Sequence, residues 1–160
     1  MVRMLGVWEL SRYSHVVSEI WPDDDGTEMD AWLLGAHEPE LNSGQEQRGL
    51  HLTVRDGAFT ETVKDFAALM FDQEGVQVND YQPMSGQIVQ VNAIGFLMPF
   101  GTSALKGQTP RGCFLRYDDG DTKVCDTIRL IGDRLVRQLS VVTDELYLDR
   151  MTLVYYSAKL

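Results

Sequence analysis

At 160 residues, 44% of them hydrophobic and 24% charged, the chain has material for a single domain around one core, residues 1–160, rather than for two. A formal net charge of −10 and a pI near 4.6 oppose a phosphate backbone or an anionic lipid surface, which argues against nucleic acid and against membrane insertion. No apolar run reaches the length of a signal sequence or a membrane span, and the expected location is the cytoplasm.

Leu5 to Ser14 reads as a strand with Trp8 and Leu10 on one face. Tyr13, Val16, Val17 and Ile20 then recur at helical spacing, which predicts a helical turn or two before Pro22 and the Asp23-Asp24-Asp25-Gly26 turn. Met29 to Leu34 reads as a second strand, and the polar stretch His37 to Gly49 as a loop. Leu50, Leu52 and Val54 alternate with His51, Thr53 and Arg55, giving a half-buried strand that ends at Asp56-Gly57. Phe59 to Val63 is compatible with a further strand, whereas Val63, Phe66, Ala67 and Met70 fit a helix. Thr62 followed by Asp65 favours helix over Lys64 to Phe71. Gly75 to Tyr81 and Gln87 to Ala93 read as strands around a Pro83-Met84-Ser85-Gly86 turn. Ile94 to Phe100 is continuously apolar and is expected to be buried on both sides, and Pro99 to Gly112 reads as a loop.

Two tight turns set strand registers in the last third. A two-residue Asp119-Gly120 turn pairs Leu115 with Val124 and Cys113 with Asp126. Cys125 then stands opposite Phe114 on the other face, so the cysteines cannot bridge. A three-residue loop would put them opposite each other but would pair Leu115 with Lys123 and spoil the apolar face, which favours two free thiols and a reducing compartment. A Gly132-Asp133 turn pairs Leu130 with Leu135, Ile128 with Arg137, Asp126 with Leu139 and Val124 with Val141. Asp126 and Arg137 thereby become diagonal neighbours on an apolar face. A charge pair there is costly unless compensated, so it either satisfies itself as a plug or serves a ligand. In the second case Asp126 or Tyr155 would donate a proton and Arg137 would clamp an anion.

The segment Leu5-Gly6-Val7-Trp8-Glu9-Leu10, together with Arg150 at the start of a final strand Met151 to Ser157, resembles the calycin superfamily of lipocalins, fatty-acid-binding proteins and small bacterial lipocalin-like domains. The resemblance implies a mainly β fold: one antiparallel calycin-like β-barrel with one or two short helices, closed where Trp8 packs under Arg150. It implies a small hydrophobic or planar ligand in the barrel cavity, with no cofactor. A cofactor-free cyclase or isomerase of natural-product biosynthesis is the alternative, because small bacterial barrels of this type have been recruited to such reactions. A phycobilin lyase-like role comes third, without a motif to carry it. The chain departs from the fatty-acid-binding pattern at Thr152-Leu153-Val154-Tyr155-Tyr156, where the arginine of the terminal Arg-x-Tyr pair is missing.

Arg12, Trp32, Phe96, Tyr117 and Tyr147 are the candidate ligand contacts, although an aromatic residue at strand period is more often core. Small barrels are also filled by their own side chains in some cases, so the cavity itself stays open. His15, His37 and His51 form no metal-binding spacing, and no zinc or other metal is expected. Lys106-Gly107 has the wrong order for a phosphate loop. The surface leaves a homodimer open.

Overall fold

The computed structural model describes residues 4–19, 27–35, 41, 42, 44–63, 83–101 and 113–158. Its strands are β1 (Gly6–Glu19), β2 (Gln45–Glu46), β3 (Leu50–Arg55), β4 (Ala58–Val63), β5 (Ser85–Val91), β6 (Ile94–Pro99), β7 (Tyr117–Asp118), β8 (Thr122–Ile131), β9 (Arg134–Thr143) and β10 (Tyr147–Ser157). One helix, α1 (Thr27–Leu34), follows β1. Eight strands run antiparallel in the order β10-β9-β8-β6-β5-β4-β3-β1, and β10 pairs with β1 to close the barrel. The two-residue strands β2 and β7 lie against β1 and β8.

Period-two alternation decides what faces inward. Trp8 and Leu10 of β1, Leu52 of β3, Phe59 of β4, Leu97 of β6, Leu135 of β9 and Leu153 of β10 fill the barrel, none of them more than 5% exposed. A second core lies outside the wall, where Leu33 of α1 packs with Phe96, Cys113, Leu115, Cys125, Val142 and Leu148. Strands covered on both faces read as continuous apolar runs, and Ile94–Pro99 is one, with its four central residues buried.

Several sequence expectations need correction. β1 does not turn helical after Ser14: it pairs with β10 as far as Glu19 opposite Tyr147, and these ladder hydrogen bonds override the weak 3.6-residue pattern. β10 accordingly starts at Tyr147 rather than Met151. Met29 to Leu34 is helical, because Met29, Trp32 and Leu33 at i, i+3 and i+4 meet the outer core together. Ser85 and Gly86 belong to β5 instead of a turn, while the strand reading of Phe59 to Val63 holds. The predicted helix 64–71, the predicted strand 75–81 and most of the predicted loop 99–112 lie outside the described residues.

The β8–β9 hairpin has the expected register at every position, including Ile128 opposite Arg137 and Asp126 opposite Leu139. The preceding turn differs. Its central residues are Gly120-Asp121, closed by Asp119 N–H donating to Thr122 O at 3.2 Å. The Asp119 carboxylate accepts from the amides of Asp121 and Thr122 at 3.0 and 2.7 Å, and Gly120 takes φ +94°, which favours glycine. Tyr117 then pairs with Val124, two positions away from the predicted register. The cysteines are unbonded as expected, but they are not on opposite faces: their sulfurs lie 2.9 Å apart.

Candidate functional site

Inside the barrel, β8 and β9 present Asp126 and Arg137 as the diagonal pair that the register predicts. Arg137 Nε donates to Asp126 Oδ1 at 2.9 Å and Nη2 to Oδ2 at 2.7 Å, a two-point fork. Its third nitrogen, Nη1, donates to Glu61 Oε2 at 3.0 Å from across the barrel. Asp126 also accepts from Arg116 Nη1 at 2.9 Å, and Glu61 Oε1 accepts from the Met84 amide at 3.1 Å. The two carboxylates are completely buried, and the Arg137 side chain is nearly so. Burial works against the Arg137 charge, yet Asp126 and Glu61 outweigh it and hold the guanidinium above its ordinary range.

Tyr155, also fully buried, stands beside this network, and its hydroxyl makes no hydrogen bond of good geometry. Burial raises its phenol well above the ordinary value, and the Arg137 charge offsets only part of that. The structure thus brings Asp126, Arg137 and Tyr155 together in packed interior. Glu61 and Arg116 were missed. For Glu61 a signal existed: it shares a face with Phe59 and Val63, so an acidic residue had to point inward.

The predicted ligand contacts do not line the barrel. Phe96 faces outward and meets Phe114 at 5.1 Å between ring centroids, since alternation along β6 places Leu97 inside. Trp32 is on α1, and its indole donates to Asp149 O at 3.0 Å. Arg12 donates to Gly44 O at 2.8 Å and lies 3.8 Å from Glu46. Tyr117 and Tyr147 are exposed, the former donating to Asp119. The expected closure pair is also separated. Trp8 donates to Met4 O at 2.9 Å, whereas the Arg150 guanidinium stacks 4.0 Å from the centre of the Trp32 ring on the outer wall. Arg150 pairs in register with Val16, six residues beyond Leu10 along β1, so Trp8 is out of its reach.

A concave site exists elsewhere, at a seam in the wall. β1 pairs with β3 only as far as Glu9 opposite His51, then bulges at Ser11, and meets β2 at Arg12. Ser11 O turns aside to accept from the Gln47 amide at 2.9 Å. The bulge leaves a crevice of about 350 Å³ lined by Glu9, Leu10, Ser11, Glu46, Arg48 and Tyr156. Glu9 and Tyr156 are directly paired, so both project onto this outer surface. Arg134 lies 5.1 Å from the Tyr156 ring centre. Bulges carry little sequence signature, which is why the crevice was not foreseen.

No protein-family model matches the chain, and no curated protein matches it in sequence. Among the described residues no helix is long and apolar enough to cross a membrane, and no group of three or more His, Cys, Asp or Glu side chains is placed to hold a metal ion.

Proposed function

We propose that this protein is a calycin-like barrel that binds a small planar molecule carrying a positive or amine group in the crevice at the β1 bulge. The closed up-and-down order of eight strands and the Gly6-Val7-Trp8 start of the first one support the family resemblance. The crevice carries the functional reading. Its volume of about 350 Å³ lies in the range of small-ligand sites, Tyr156 supplies a ring on which Arg134 already rests, and Glu9 and Glu46 supply two carboxylates beside Arg48. Arg12 lies 3.8 Å from Glu46, so a cationic ligand would compete with Arg134 for the ring and with Arg12 for Glu46. The interior supports binding at the crevice over catalysis inside the barrel: the Asp126 oxygens already take three guanidinium N–H groups, and the Tyr155 phenol is a poor proton donor with its raised pKa.

Titration with a planar cationic dye such as proflavine, followed by fluorescence, tests this reading. We expect saturable one-to-one binding. Tyr156→Ala should weaken it about tenfold, the equivalent of about 1.4 kcal/mol, and Glu9→Gln a few-fold, while Tyr155→Phe leaves it unchanged. Binding that ignores Tyr156→Ala, or is absent, would reject the crevice. Sensitivity to Tyr155→Phe alone would move the site into the barrel.

A further inference from the structure

We infer that Cys113 and Cys125 close into an intramolecular disulfide when the protein meets a thiol oxidant, pinning the segment that carries Arg116 onto β8. These are the chain's two cysteines. Both are fully buried in the outer core, and the Cys113 thiol donates to Cys125 Sγ at 2.9 Å. A disulfide bond measures about 2.0 Å, so closure needs a movement of only about 0.9 Å. The neighbouring contacts already hold the two strands in place for it. Arg116 N–H donates to Val124 O at 2.9 Å, and the Arg116 side chain reaches Asp126. Val124 and Asp126 flank Cys125, so the new bond would sit between two existing attachments of the same segment.

The contact with Cys113, then burial, raises the Cys125 thiol well above its ordinary pKa, so little thiolate forms at this sulfur and reaction with an oxidant is slow until a local opening exposes it. With a low-molecular-weight disulfide as oxidant, one cysteine loses its proton and its thiolate attacks a sulfur of that disulfide. The small S–S bond breaks, and one small thiolate leaves. The second cysteine, deprotonated in turn, attacks the protein sulfur of the mixed disulfide, forms the Cys113–Cys125 bond and expels the second small thiolate. Two protein thiols lose two protons and two electrons, and the small disulfide gains them as two thiols. The inference is independent of what the crevice binds.

The test equilibrates the full chain in a series of oxidised and reduced glutathione buffers, both as folded protein and during refolding from urea, so that slow access to a buried pair cannot hide the outcome. After acid quench and denaturation, free thiols are alkylated and the intact mass is read. We expect a direct passage from doubly alkylated to unalkylated chain. Its midpoint should not depend on protein concentration, and a non-reducing digest should join the peptides containing Cys113 and Cys125. Slower amide exchange at residues 113–116 in the oxidised form should accompany it. Two free thiols under the most oxidising buffer by both routes, a stable glutathione adduct, or a covalent dimer would each overturn the inference.

Discussion

Arg137 spans two carboxylates inside an apolar barrel, and that arrangement makes its removal asymmetric. Arg137→Met removes the guanidinium that joins the buried Glu61 and Asp126, and leaves Arg116, which reaches Asp126 at 2.9 Å and Met84 Sδ at 3.2 Å. A loss of about 3–5 kcal/mol is expected, on the scale of an orphaned buried charge. The double variant Arg137→Met with Asp126→Leu should cost less than the sum of the two single losses, by about 1–3 kcal/mol. Urea unfolding of the four proteins measures this cycle; additive losses would mean that the fork does not couple the residues. The pair itself was legible, because a two-residue turn at Gly132-Asp133 fixes which residues oppose one another, and Gly132 takes the positive φ that such a turn favours. Arg116 was not legible. It reaches Asp126 only after the Gly120-Asp121 turn shifts β7 by two positions, where the Asp119 carboxylate accepts from the amides of Asp121 and Thr122 and the Asp119-Gly120 turn favoured by the Asp-Gly pair is not formed.

At the scale of elements, α1 shows why a short apolar run is ambiguous. Eight residues cannot hold a helix by themselves in water, so Thr27–Leu34 is helical because of what it docks on. Arg150 donates to Trp32 O at 2.5 Å and to Ser140 Oγ at 3.2 Å, while Arg129 donates to Leu34 O at 2.7 Å. Two cations thus meet the carbonyls at the helix C-terminus, where its dipole is negative. Burial, then the nearby Arg129 charge, lower Arg150 to about 10, so the docking works against a desolvation cost. Arg150→Met keeps the length of the stem and loses the carbonyl bond and the stacking on Trp32. The expected result is a loss of about 2 kcal/mol. Amide exchange should accelerate in α1 and leave β8–β10 protected; uniform acceleration across the barrel would show that Arg150 supports the wall rather than the helix. The helix partner of Arg150, Trp32, lies 118 positions away in sequence, and local spacing carries no information about it. The strands fared better, since alternation along β3 and β8–β10 is imposed by one wet and one dry surface or by a fixed hairpin register.

For the molecule as a whole, closure between β1 and β10 places Tyr155 opposite Leu10, where its phenol is sealed from water. Burial raises its folded-state pKa well above the unfolded value of 10.0. An acid raised on folding keeps its proton where the unfolded chain has lost it, so the folded state holds more protons above pH 10. Its contribution is therefore fully present below pH 10 and is lost as the pH climbs toward the folded value. Arg150 acts in the opposite sense, being a base lowered on folding: its burial cost eases as pH rises past about 10. Comparing Tyr155→Phe with the parent chain cancels that contribution and isolates the tyrosine. The parent should lose stability faster than Tyr155→Phe between pH 10 and 12, while both remain folded at pH 7. Tyrosinate absorbance provides the second reading. Of six tyrosines, at least one should stay protonated until the barrel opens, and that late step should disappear in Tyr155→Phe. Smooth ionisation of all six before unfolding would place the Tyr155 hydroxyl in contact with water and break the link between closure and the dry interior.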